Sequence, residues 1–332
     1  VNRDFSSLTK AGVSNRVETI SALKAICSEG LPMTIIRLDI KKFYQSVDTK
    51  QVLACATNGT KSTYALRRNL QHFITWSQDN VGGVPTGVSL SSSLAEYYLM
   101  EHLDARAISL HGVHFYRRYV DDIIMVCSSR RPPREYIEDL ESILPNELEF
   151  NSAADKRDVL ELHTPDQHGC FNYLGYNFSI SKKLSSDKSS YRSVRLDIAP
   201  SKIAKRKARF VHSLLQFLKD GSESDLRRRF LLLHSGFTFW DSNRGRQVSS
   251  GLCNIYSEID HPSEALADLR NFYRASMLNK RFQLYQRLRL SHLSARTRSA
   301  IISLDVQKHV HNRNHFNFSP DDLQHLSSCW KK

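Results

Sequence analysis

Apolar positions along this chain recur with two periods, one suited to helices and one to strands. From about Ser14 to Cys27 they fall at helical spacing, with Val17, Ile20, Leu23 and Cys27 on one face and Ser14 placed as the cap. Met33-Thr34-Ile35-Ile36-Arg37-Leu38-Asp39-Ile40 then reads as a buried strand that ends in an acid. Residues 49–80 read as helical and carry Lys61, Arg67 and Arg68. A loop from Gly82 to Gly87 leads into a buried helix over Ser89–Met100, whose small first residues let a backbone or a ligand come close. Phe115 to Val126 places Asp121 and Asp122 between two apolar, β-branched runs, the pattern of strand, tight turn and strand. Residues 134–144 predict a helix, and Phe171–Phe178 a second hairpin.

The character changes near residue 180, where the polar Lys/Ser stretch 181–190 predicts a domain boundary. Beyond Pro200 comes a helix capped by Ser201, with an apolar stripe of Ile203, Phe210, Val211, Leu214, Leu215 and Leu218. Lys202, Lys205, Arg206 and Arg209 recur at steps of three or four on another face. Arg227-Arg228-Arg229 starts a further helix, and Ser319-Pro320-Asp321-Asp322 is the N-terminal signature of the last one.

Charge adds a partner to this picture. The formal charge of +13 favours a polyanion, nucleic acid before an anionic membrane. No apolar run approaches the ~20 residues of a membrane span, and the polar start Val1-Asn2-Arg3-Asp4 predicts no secretion signal. Six scattered cysteines without a Cys-x-x-Cys pair predict a reduced, cytoplasmic protein with no structural zinc. His309, His311 and His315 have no Cys or acid at ligand spacing, so they predict a polar surface or a nucleic-acid contact rather than a metal site.

The acids carry the candidate chemistry. Asp39 can face a cleft while its strand stays buried, or it can cap the next turn. Asp121 and Asp122 can project from a hairpin tip toward one site, or form an ordinary acidic turn. If the two strands are neighbours in one sheet, the three carboxylates converge. Unpaired, they repel, and burying them charged is costly. Two divalent cations remove that cost, and two-metal chemistry of this kind is nucleotidyl transfer onto a 3′-OH. The basic face beyond Pro200 is either a solvated helix surface or a phosphate contact.

In motif order and spacing the chain resembles a reverse transcriptase. Leu38-Asp39-Ile40-Lys41-Lys42-Phe43-Tyr44-Gln45-Ser46-Val47 is similar to that family's first palm motif. The resemblance implies a metal site of Asp39, Ile40, Asp121 and Asp122, with Tyr44 screening the sugar 2′ position. Gly83-Val84-Pro85-Thr86-Gly87 resembles the loop under the incoming nucleotide, so Lys41, Phe43, Tyr44, Pro85, Thr86 and Gly87 are the implied nucleotide contacts. Tyr119-Val120-Asp121-Asp122 is similar to the Tyr-x-Asp-Asp signature. Lys156 resembles the lysine that protonates the leaving pyrophosphate, and Tyr173-Leu174-Gly175-Tyr176 the primer grip. Tyr119, Leu174, Gly175, Lys202, Lys205, Arg206 and Arg209 are then the implied primer and nucleic-acid contacts.

The implied fold is an α/β right-hand polymerase: an antiparallel-sheet palm, reduced fingers and a helical thumb. Its expected parts are partial fingers over 1–32, a palm over 33–180 with a fingers insertion at about 50–82, a thumb over 190–285 and a helical extension over 286–332. The implied cofactor is Mg²⁺, two ions, with Mn²⁺ as a substitute. The implied partners are dNTPs, a noncoding RNA template and a DNA product, with a partner protein or a homo-oligomer as further candidates and no membrane. Leu232-Leu233-His234-Ser235-Gly236-Phe237, Gly251–Tyr256 and the closing Phe318–Leu323 resemble bacterial defence-associated reverse transcriptases of the abortive-infection and unknown-group branch. That implies anti-phage defence.

Thr86 stands where most of the family has Gln, and the Asn-Ala-x-x-His and Val-Thr-Gly of retron enzymes are absent. Only one helix precedes Asp39, which leaves Arg3 and Lys10 to grip a triphosphate. The expected activity is RNA-directed DNA synthesis. Untemplated or protein-primed DNA synthesis is the first alternative. An RNA-binding scaffold with a dead palm is the second, and the presence of all three acids argues against it.

Overall fold

A computed structural model describes residues 15–58, 63–81, 83–85, 87–153, 156–182, 192–241, 246–289 and 291–331. The chain forms two compact units, Val1–Leu174 with Ser179–Val194, and Gly175–Phe178 with Arg195–Lys332. No helix among the described residues is long and apolar enough to cross a membrane.

The first unit opens with α1 (Arg16–Cys27), which buries Thr19, Ile20, Leu23 and Cys27. Its cap is Asn15, whose side chain accepts from the Val17 N–H, and Val17 itself is exposed. The expected cap, Ser14, lies outside the described residues. β1 (Met33–Asp39) follows, then a helical turn at Phe43–Ser46, α2 (Thr49–Asn58), α3 (Tyr64–Val81) and α4 (Ser89–Leu99). A π-helical turn, Met100–Asp104, continues α4. β2 (Val113–Tyr119) and β3 (Asp122–Ser128) form the predicted hairpin, and α5 (Pro133–Ile143) and β4 (Asp158–Leu162) complete the layer.

These strands make one antiparallel sheet of order β2-β3-β1-β4. β1 and β3 are apolar on both faces because both are central strands. Ile36, Leu38 and Ile40 with Ile123, Met125 and Cys127 belong to one core, which includes Leu94, Ala95 and Tyr98 of α4 and Tyr136, Ile137 and Leu140 of α5. The opposite face of β1 carries Met33 and Ile35 and then, toward the hairpin tip, Arg37 and Asp39, since side chains alternate at period two. β5 (Gly169–Tyr173), β6 (Tyr176–Lys182) and β7 (Arg192–Ile198) form a separate three-stranded sheet, and the boundary between the units falls within β6 and β7. The predicted polar boundary stretch at 181–190 lies almost wholly outside the described residues.

The second unit contains α6 (Pro200–Asp220) and α7 (Glu223–His234). Pro200 takes the first helical position after Ala199, so Ser201 is inside the helix and is not its cap. Gly221, with φ 68°, ends the helix in the left-handed conformation. Ser222 caps α7, which places Arg227–Arg229 in its middle rather than at its start. The expectation of a wholly helical region here needs correction. β8 (Gly236–Asp241) and β9 (Arg246–Gly251) pair antiparallel, and β10 (His315–Asn317) joins β8 in parallel. Phe237, Phe239 and Val248 alternate with polar residues, a period-two pattern that a helical reading overlooks. The last helix, α12 (Pro320–Ser327), has the predicted capping box of Ser319 and Asp322. Between β9 and β10 run α8 (Glu264–Leu278), α9 (Gln283–Arg289), α10 (Ala295–Ser303) and α11 (Val306–His311).

Candidate active site

The antiparallel register of β1 and β3 sets Asp39 directly opposite Asp122. Asp121 occupies the two-residue turn before β3, and its carbonyl accepts from the Ile40 N–H at 2.9 Å. Val120, the other turn residue, has φ 60°, which is strained for a β-branched side chain. That strain is held by Arg118. Its guanidinium donates to the Val120 carbonyl at 2.8 Å and pairs with Glu96 at 2.9 and 3.0 Å and with Asp104 at 2.7 and 2.9 Å. Arg118 is 3% exposed. Burial works against its charge, and the two carboxylates more than offset this, so its pKa is raised. Tyr116 adds a hydrogen bond to Asp104 at 2.7 Å. The hairpin tip is thus tied to α4 and to the π-helical turn that follows it.

Each strand acid has a cation beside it. Lys156 Nζ lies 2.8 Å from Asp39 Oδ1. Arg37 grips Asp122 with two hydrogen bonds, Nε to Oδ1 at 2.9 Å and Nη2 to Oδ2 at 3.1 Å. Arg37 and Asp39 share a strand face, so the pairing follows from the register. Of the three acids, Asp121 alone has no ion pair among the described contacts. Burial raises the Asp121 and Asp122 carboxyls above their ordinary value, and the charge of Asp39 adds to both. The hydrogen bond to Asp39 raises the Lys156 pKa. Tyr173 donates to the Asp122 carbonyl at 3.3 Å.

The donor set fits a hard divalent cation, because three crowded carboxylates offer oxygen ligands and accept positive charge at two points already. As the side chains stand, no three such groups among the described residues converge on one ion. Lys156 and Arg37 turn two of the acids onto themselves.

The turn after Asp39 carries the expected nucleotide contacts. Phe43 is 3% exposed and belongs to the core, which corrects its assignment as a side-chain contact. Tyr44 is half-buried and packs against that core. Its carbonyl accepts from Val84 N–H at 2.9 Å. A Cβ on Gly83 would come within 2.8 Å of the Tyr44 carbonyl oxygen, so the glycine permits the close approach of loop and turn. Ser77 donates to the Gly83 carbonyl. Pro85 is buried and Gly87 is exposed with φ 84°, while Thr86 lies outside the described residues. Lys41 pairs with Glu149 at 2.6 Å across exposed surface. Ile40 has a buried side chain, so only its backbone carbonyl is available to a metal. Tyr119 is half-buried at the end of β2, in register with Asp122. Leu174 and Gly175 form the β5–β6 turn with φ 47° and 81°, and Arg16 donates to the Leu174 carbonyl.

In the second unit the four basic residues of α6 do not make one exposed face. Lys202 and Lys205 are exposed. Arg206 donates to the Leu233 carbonyl, and burial lowers its pKa. Arg209 stacks on the Trp330 ring at 5.4 Å. Helical spacing placed them correctly, but it did not reveal the neighbours that cover half of them.

Arg37 and Arg118 were not singled out from the sequence. Both had a signal: an arginine inside an apolar strand needs a buried partner.

No curated protein matches the chain at a significant level. The sequence profile of the family described as reverse transcriptase (RNA-dependent DNA polymerase) matches residues 5–178, just over half of the chain. That match spans β1, the hairpin with Asp121 and Asp122, and Lys156, and on it the chain belongs to the reverse transcriptase family.

Proposed function

We propose that this protein extends a DNA primer on an RNA template with two divalent metal ions held by Asp39, Asp121, Asp122 and the Ile40 carbonyl. The observation that carries this reading is the register of β1 and β3, which brings Asp39 opposite Asp122 with Asp121 at the adjoining turn. When bound, two Mg²⁺ ions supply activation of the primer 3′-OH and charge neutralisation at the departing pyrophosphate. Loading requires Lys156 and Arg37 to yield the carboxylates that they hold. Lys156, released from Asp39, holds a proton at Nζ for the leaving group. Tyr44, backed by the Gly83–Val84 loop, lies against the C2′ edge of the sugar, where a 2′-OH would be overpacked. Lys202 and Lys205 meet template or primer phosphates.

The resemblance of Leu232–Phe237 and Gly251–Tyr256 to defence-associated enzymes supports a role in anti-phage defence, with a noncoding RNA as the template.

The test is nucleotide incorporation by purified protein, with single dNTPs and with or without the RNA that co-purifies. Incorporation that follows the RNA sequence is expected, and Asp121→Asn should abolish it. Substantial synthesis by Asp121→Asn in Mg²⁺ or Mn²⁺ would sink the metal assignment. Synthesis that ignores added RNA would replace the templated reading with the untemplated one. For Tyr44→Ala, the ratio of kcat/KM for ribo- over deoxyribonucleotides should rise roughly 5- to 150-fold, the equivalent of about 1–3 kcal/mol of relieved overpacking. An unchanged ratio in a folded, active variant removes Tyr44 from that role.

A further inference from the structure

The sheet of the C-terminal unit has two unlike faces. Along β8, Phe237 and Phe239 alternate with Thr238 and Trp240. Phe237 and Phe316 pack on the cluster of Leu232, Phe318 and Leu326, so this face is covered. On the other face, register places Gln247 opposite Trp240, and Ser249 and Asn317 on either side of Thr238. Thr238 donates to Asn317 Oδ1 at 2.9 Å. Gln247, Ser249 and Asn317 are exposed, and Trp240 is 57% exposed. Thr238, Trp240, Gln247 and Asn317, together with Phe239, Phe318 and Pro320 at the sheet edge, line a shallow cavity of about 420 Å³.

We propose that this outward face is a stacking site for an unpaired base of single-stranded nucleic acid, built wholly from the C-terminal unit. Three observations select that occupant. The site offers one large ring with amides and a hydroxyl around it, the combination that stacks a base and hydrogen-bonds its edge. A protein-docking surface would present a broad apolar patch, whereas on this sheet face the residues in register around Trp240, namely Gln247, Thr238, Ser249 and Asn317, are polar and the apolar lining is confined to the cavity edge. The unit also carries a surplus of positive charge: residues 175–178 and 195–332 hold 24 Lys and Arg against 12 Asp and Glu, a net of +12. A duplex is excluded as the occupant because its bases are already stacked on one another. Asn317 Oδ1 is engaged by Thr238, which leaves its Nδ2 to donate to a base acceptor.

The experiment uses the full chain saturated with a primer–template duplex, so that the reaction site is occupied, and titrates in a short labelled oligouridylate. Trp240→Ala should weaken binding of the single strand roughly 5- to 150-fold, the loss expected for one stacked base. The slope of log affinity against log salt should not move, because every phosphate keeps its cation. Trp240→Phe should retain most of the affinity, and Gln247→Ala should change the preference among oligo-A, oligo-C and oligo-U. Incorporation on the annealed primer should match the wild type. Wild-type affinity in a folded Trp240→Ala variant overturns the proposal and leaves the ring to a protein partner. Equal losses of duplex and single-strand binding overturn it too, since they report a damaged fold. If Trp240→Ala does not fold, the exposed Gln247→Ala decides the matter: unchanged affinity and unchanged base preference refute the site.

Discussion

The two units of this protein treat charge in opposite ways. The N-terminal unit holds 23 Lys and Arg against 22 Asp and Glu, a net of +1, while the C-terminal unit carries +12. In the first, arginine and lysine are committed to particular carboxylates: Arg118 to Glu96 and Asp104, Arg37 to Asp122, Lys156 to Asp39. In the second, exposed lysines such as Lys202 and Lys205 have no acid beside them among the described ion pairs. Local balance lets buried acids stay charged and fixes their geometry. Surplus charge draws a polyanion without fixing any one contact. A catalytic site needs the first arrangement and a nucleic-acid surface the second.

The comparison breaks most visibly at Arg118. Its replacement by Met leaves the buried Glu96 and the half-buried Asp104 beside no cation and frees the Val120 turn. A loss of about 3–5 kcal/mol in urea unfolding is expected, as for other broken buried pairs. A loss below about 1 kcal/mol would show that the network positions nothing.

The paired and unpaired acids should differ in stability as they do in geometry. Asp122→Ala leaves Arg37 largely buried without its partner and should cost about 1–3 kcal/mol. Asp121→Ala removes a charge that Asp39 repels, and should leave unfolding within about 0.5 kcal/mol of wild type. Equal losses in the two variants would mean that the Arg37 pair contributes nothing to the fold.

The smallest effect separates the surplus charges from the engaged ones. Lys202→Glu with Lys205→Glu should lower the salt slope of nucleic-acid binding by about one for each phosphate left without its lysine, with little change in melting temperature. Arg206→Met should do the reverse, lowering the melting temperature because the Leu233 carbonyl is left without its donor, and leaving the slope alone. A lower slope from Arg206→Met would place that side chain on the nucleic acid after all.

The placement of the candidate acids was legible because it is local. Asp39 ends a run of seven strand residues, and the apolar runs around Asp121 and Asp122 announce a hairpin. Tyr44 and the glycine loop were likewise read from short segments. In the C-terminal sheet, β8 and β9 carry a local period-two pattern that the helical expectation overrode, whereas β10 joins β8 from far along the chain, and a three-residue strand leaves almost no periodic trace.

What the sequence determined by itself was the inventory: which residues are acids, that Met33–Asp39 and the runs around Asp121 and Asp122 are strands, and that the chain carries a surplus of positive charge. The tertiary structure decided the pairing. Arg37 and Asp122 lie 85 residues apart, and only the choice of β3 as the neighbour of β1 brings them within 2.9 Å. Likewise, helical spacing put Lys202, Lys205, Arg206 and Arg209 near one another, and the fold then covered two of them. Strand period and helix period are written in neighbouring residues, whereas a buried charge is matched only by whichever distant segment the packing places beside it.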